Sequence, residues 1–247
     1  MGLAPVPTVS EETLLSLRAL WALPVLAVAA HASTTYTAVD SVAGQDATAT
    51  FSLFTGTLTI VIDNLISNPA ADSQNVSDVE FTLSNGATTG SLTSSTGTQL
   101  TVHANKTYTV GTTGTTDWSL TSSGGTFDLN ALGVAHAPET VIGTSSTGNY
   151  TTGTYSNANP SITGSNHNPF LESGASFSIS ISGISASTIV NSAIISFGTA
   201  AGDNVDGVCT AGACPSGTVP EPYSLYLTGG GLALVGLLAR RKLFAAR

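Results

Sequence analysis

Basic residues are almost missing from this chain. It carries 6 Lys and Arg against 15 Asp and Glu, a net charge of -9, and between residues 33 and 218 Lys106 is the single base. A polyanion is held by cationic side chains that displace its counterions, so nucleic acid is excluded as a partner and charge-driven adhesion of this stretch to anionic lipid is excluded with it. Charged residues make up only 9% of the chain. In a sequence so rich in Thr, Ser and Gly that scarcity would signal disorder, but 41% of the residues are hydrophobic. Placed at alternating positions, Val, Ile, Leu and Phe can offset the ordering entropy by forming a sheet. Catalytic signatures are missing too. His103, His136 and His167 lie in separate segments with no His-x-x-x-His spacing, and neither a Gly-x-Ser-x-Gly elbow nor a Gly-x-x-x-x-Gly-Lys loop occurs. Without a positioned base no serine stands out as a nucleophile, and the chain reads as a non-enzyme.

Both ends are apolar. Residues 19–30 form an uncharged run behind Arg18 that closes on Ala30-His31-Ala32, a small-x-small cleavage pattern. Residues 1–32 are therefore expected to be a secretory signal peptide, with Ser33 the first mature residue. Glu11 and Glu12 depart from the usual basic start, and an ordinary N-terminal helix is the alternative, one that Pro24 would interrupt. At the other end, Pro220 and Pro222 fix an extended stretch that presents Glu221. Residues 223–239 then carry no charge, and as a helix they would span roughly 25 Å, enough for a thin bilayer. Arg240, Arg241 and Lys242 follow at once and would stay cytoplasmic, leaving everything before Pro220 outside.

This combination of Pro220-Glu221-Pro222, an apolar helix and a short basic end resembles the PEP-CTERM sorting signal of bacterial exported proteins. The resemblance covers residues 219–247 alone. It implies export, transient membrane anchoring through the C-terminal helix, recognition and cleavage near the motif by an exosortase, and release to the cell surface or to the exopolysaccharide-rich matrix of a biofilm. A plain single-pass anchor and a buried core helix are the competing readings of the same residues.

Between the ends, residues 33–218 form one acidic Ser/Thr/Gly-rich domain. Period-two alternation marks strands at 48–54 and 57–62, and again at 79–83, 99–103, 107–110, 118–121, 126–129, 140–142, 176–181 and 193–197. Asn85-Gly86 and Gly124-Gly125 are expected to close tight hairpins. The predicted fold is all-β, a two-sheet sandwich or jelly roll, flanked by an N-terminal signal helix and a C-terminal transmembrane helix. Residues 143–169, rich in Asn, Gly, Ser and Tyr, read as a long exposed excursion or as irregular edge strands. In Cys209-Thr-Ala-Gly-Ala-Cys214 the spacing and an oxidising destination favour a local disulfide over a metal site, for which two further ligands are not in view.

Three groups of residues offer candidate chemistry. Asp78 and Glu80 alternate onto one face of a strand, as paired acids of a glycosidase would, although such a pair is more often a solvent face. Asp203, Asn204 and Asp206 read as an oxygen-rich turn able to take Ca²⁺. Tyr150, Tyr155 and His167 in the excursion could stack on and hydrogen-bond a sugar, whereas Trp118 falls at a core position. The function expected is that of a non-enzymatic exported surface or extracellular-matrix protein associated with polysaccharide, with no cofactor beyond a structural calcium; the alternative is a secreted carbohydrate-active enzyme.

Overall fold

The computed structural model describes residues 31–132, 141–144, 155–164, 168–172, 174–199 and 203–215. The expected signal peptide up to Ala30, the expected sorting motif with Pro220, Glu221, Pro222, Arg240, Arg241 and Lys242, and also Tyr150 and His167, lie outside these residues.

Among the described residues thirteen strands follow in chain order: β1 Ala32–Asp40, β2 Gln45–Phe54, β3 Thr57–Asn64, β4 Val76–Leu83, β5 Ser91–Val102, β6 Tyr108–Gly114, β7 Ser119–Ser123, β8 Thr126–Asn130, β9 Phe170–Leu171, β10 Ala175–Ser180, β11 Val190–Phe197, β12 Asn204–Asp206 and β13 Val208–Gly212. Among the described residues there are also a 3-10 turn, Asp72–Gln74, and an α-helical turn, α1 Pro160–Thr163, capped by Asn159, whose side chain accepts from the Ser161 N–H. No helix among the described residues is long and apolar enough to cross a membrane. The strands make two antiparallel sheets. An eight-stranded sheet runs β13-β1-β2-β3-β10-β5-β6 with β9 added on β5, and a five-stranded sheet runs β12-β11-β4-β8-β7.

Alternation decides which face is buried. In β2, Ala47, Ala49, Phe51 and Leu53 are fully buried while Thr48, Thr50 and Ser52 face out; β3 repeats this with Leu58, Ile60 and Ile62. From the five-stranded sheet come Val79, Phe81, Phe127, Leu129, Ile195 and Phe197. The two inner faces meet in one core. Phe51 contacts Phe81 edge-on at 5.4 Å between ring centres, and Phe81 stacks on Phe127 at 5.2 Å. Trp118 is core as expected, 4% exposed and 5.0 Å from Phe177.

The sheets are also joined along two sides. At one side β12 ends on the five-stranded sheet, and β13 begins on the eight-stranded one, with Gly207 between them. A Cβ at Gly207 would lie 2.7 Å from the Ala193 carbonyl oxygen, so the crossing tolerates only glycine without a shift. At the other side, Ile142 bridges Val76 of β4 to Leu171 of β9.

Two expectations need correction here. Gly124 and Gly125 do close the β7–β8 hairpin, both with positive φ, but Asn85-Gly86 closes none. It ends β4 and sends the chain to β5 in the opposite sheet, because β4 finds its partners in β8 and β11. The excursion is anchored in the core where it is described. Gly143, Thr144, Tyr155, Ala158 and Ile162 are buried, while Ser156, Asn157, Asn159 and Pro160 are exposed, and Asn168 ties the segment down by donating to the Ile162 and Gly164 carbonyls and accepting from the Val102 N–H.

Candidate functional site

The outward face of the five-stranded sheet gathers most of the carboxylates that sequence reasoning singled out. Register sets them in ranks. One rank runs Asn204, Ser196, Asp78, Asn130, Ser119 across β12-β11-β4-β8-β7, and the next runs Asp206, Ile194, Glu80, Asp128, Thr121. Glu80 and Asp128 therefore stand directly opposite each other, an arrangement that like charges oppose. The site residues missed from sequence are Asp128, Ser196 and Asn130. Alternation alone would have put Asp128 on an outer face, but nothing local says that β8 pairs with β4.

Hydrogen bonding at this face is incomplete. Asn130 donates to Asp128 Oδ2 at 2.6 Å and Ser196 donates its hydroxyl to Asn204 Oδ1 at 2.7 Å. The Oδ1 atoms of Asp78 and Asp128 are buried without a hydrogen-bond partner. Burial pushes the Asp78 carboxyl up to about 6, opposed by a hydrogen bond with Ser196 and reinforced by the negative charges of Asp128 and Glu80. Below about pH 6 the protonated Asp78 relieves the conflict, since its O–H can donate to Ser196 while Ser196 continues to donate to Asn204.

A measurable pH dependence follows from that proton. A carboxyl whose folded pKa lies above its unfolded value of 3.8 binds protons more tightly in the folded state. Its stabilising contribution is complete below about pH 4 and is lost as pH rises through about 6, an effect of about 1–2 kcal/mol once partial solvent access is allowed for. Asp78→Asn should raise the melting temperature at pH 7 by several degrees and leave it nearly unchanged at pH 4. Melting curves of both proteins at the two pH values test this; equal shifts at both would contradict it.

Chemically, the face sets an acid with a raised pKa, Asp78, beside Glu80 and Asp128, but on a flat surface. The adjoining depression, lined by Glu80, Thr82, Thr126, Ser192 and Ile194, holds about 90 Å³, small beside the roughly 300–1,000 Å³ of ligand pockets. A larger hollow of about 350 Å³ lies between Asp72, Ser161, Phe197 and Asp203. Its acids have partners: Asp72 Oδ1 accepts from Asn75 and Asp203 Oδ2 from Gln45, each at 2.7 Å.

The other candidates fare differently. Cys209 and Cys214 form a disulfide. Asp203, Asn204 and Asp206 are not a turn: Asn204 to Asp206 are strand β12, Asn204 is taken by Ser196, and Asp203 points to Gln45. No group of three or more His, Cys, Asp or Glu among the described residues is placed to hold a metal ion. Tyr155 is not a sugar platform. It is 1% exposed, packs edge-on against Tyr108 and sets its hydroxyl 3.4 Å from the Thr144 N–H. Tyr150 and His167 lie outside the described residues, so Tyr155 alone of that trio is placed. Ser33 and Ala32 lie in β1, which starts at the expected cleavage position.

The fold and this face define an all-β, two-sheet acidic domain. No protein-family model, curated protein or solved structure matches the chain.

Proposed function

We propose that this is a non-enzymatic exported protein whose β-sandwich resides at the cell surface or in a polysaccharide-rich extracellular matrix, delivered by an exosortase-type pathway. The observation that carries the reading is the tail, where Pro220-Glu221-Pro222, an uncharged run and Arg240-Arg241-Lys242 follow one another without interruption. The Cys209–Cys214 disulfide suits an oxidising compartment, and a polar, nearly base-free surface suits a hydrated matrix. In this reading the tail inserts with its basic end inside, the motif is cut, and the domain is freed.

Glu221→Ala tests it in a host that carries an exosortase. The helix still inserts, so the variant should accumulate uncut in the membrane fraction while the parent appears outside the cells; equal release of both would overturn the reading. The alternative of a secreted carbohydrate-active enzyme draws on Asp78, whose pKa is raised to about 6, beside Glu80 and Asp128. It requires release of reducing sugar from a polysaccharide and loss of that release in Asp78→Asn.

A further inference from the structure

Asparagine followed two residues later by Ser or Thr is the acceptor pattern for N-linked oligosaccharide, provided that the residue between them is not proline. The chain carries it at Asn75-Val76-Ser77, Asn105-Lys106-Thr107 and Asn149-Tyr150-Thr151. The fold separates the first two sharply. Asn75 is 1% exposed and donates its side-chain N–H to Asp72 Oδ1 at 2.7 Å, and Ser77 is fully buried. Asn105 stands instead at the tip of the β5–β6 hairpin, where every residue from His103 to Thr107 is exposed. Asn149 lies outside the described residues.

Hydrogen bonds pin this tip and set the Asn105 side chain. The His103 N–H donates to the Thr107 carbonyl and the Lys106 N–H to the His103 carbonyl, each at 2.8 Å, while the Lys106 ammonium donates to the Ser156 carbonyl at 2.9 Å. Inside the turn, Asn105 Oδ1 accepts from the Thr107 N–H at 3.2 Å and from the Thr107 hydroxyl at 2.7 Å. Oδ1 and Nδ2 lie on opposite sides of the amide carbon, so holding the oxygen against Thr107 turns the nitrogen away from it. That nitrogen donates to no described residue. The acceptor atom is thus presented at an exposed, ordered hairpin end and takes no part in the β5–β6 ladder.

We infer that Asn105 is a site of N-glycosylation, an inference that rests on the export proposed above. The donor is an oligosaccharide carried on a polyprenyl diphosphate and the catalyst an oligosaccharyltransferase of the exporting membrane. Asn105 Nδ2 attacks the anomeric carbon of the first sugar. The new C–N bond forms as the bond from that carbon to the phosphate oxygen breaks, the polyprenyl diphosphate leaves with the bonding pair, and one amide proton passes to a base of the transferase. Nothing is oxidised or reduced. A bulky hydrated chain at this tip adds polar surface to a domain with few charges and carries sugar into a polysaccharide-rich surrounding.

Transfer to the full-length chain, folded in detergent, tests this. An oligosaccharyltransferase that recognises Asn-x-Thr, supplied with a polyprenyl-diphosphate oligosaccharide, should add sugar at Asn105, read as a mass shift of the peptide that contains it, and leave Asn75 bare. Asn105→Gln and Thr107→Ala should lose that shift, and Thr107→Ser should retain it. The same peptide should carry sugar in protein recovered outside cells that possess such a transferase. Export plays no part in the first assay, so failure there counts against Asn105 alone, whereas failure of the export reading shows as equal release of Glu221→Ala and the parent. A bare Asn105 in either sample, sugar on Asn75 of the folded chain, or a shift that persists in Thr107→Ala would each overturn the inference.

Discussion

Replacing Phe81 by alanine is expected to cost the domain about 3–5 kcal/mol, lowering its melting temperature by roughly 10 °C or more. Phe81 is 1% exposed and is the ring through which the two sheets touch, with Phe51 on one side and Phe127 on the other. Its removal leaves a cavity where three aromatic rings meet, and strands on both sheets would have to move together to fill it. Phe81→Leu keeps most of the volume and should cost distinctly less. Chemical denaturation of the two variants measures the difference. A loss below about 1.5 kcal/mol for alanine would mean that the sheets do not share this core.

Tyr155→Ala should be nearly as damaging, again about 3–5 kcal/mol, while Tyr155→Phe, which keeps the ring and gives up the hydroxyl that accepts from the Thr144 N–H, should cost distinctly less, about 1–2 kcal/mol. The contrast separates two roles for the same residue. A sugar-stacking tyrosine on an exposed loop can be truncated with no change in stability, whereas this ring fills the interior against Tyr108. Unchanged melting of the alanine variant would return Tyr155 to the surface.

What the sequence disclosed follows the alternation of large apolar side chains. Residues 48–54 and 57–62 place Phe51, Leu53, Leu58, Ile60 and Ile62 at every second position, and those strands are where they were expected. β1 offers only Tyr36 and Ala38 as buried apolar residues, and the first half of β5 turns Ser95 and Gly97 inward, so neither gives a periodic pattern. β12 was hidden for a different reason. Asp203-Asn204-Val205-Asp206-Gly207 has turn composition, yet pairing with β11 holds it extended. In the segment around Tyr155 the polar composition suggested an exposed excursion, but Asn159 and Asn168 satisfy backbone groups of the same segment and its neighbours. At the acidic face, Asp78 and Glu80 were legible as a same-face pair, but their confrontation with Asp128 and Ser196 depends on long-range register, which no local pattern carries.

The strand that opens the domain is completed by the one that closes it. β1 pairs with β13, and the Thr34 hydroxyl donates to the Ala213 carbonyl across 179 residues. A chain delivered N-terminus first therefore carries β1 with one side unpaired until almost all of the rest has arrived. Closure over so long a separation is slow, and throughout that interval the bare side of β1 can capture a neighbour's strand. The ladder of β1 therefore stays open on that side until five residues near the far end of the domain, Val208–Gly212, are in place.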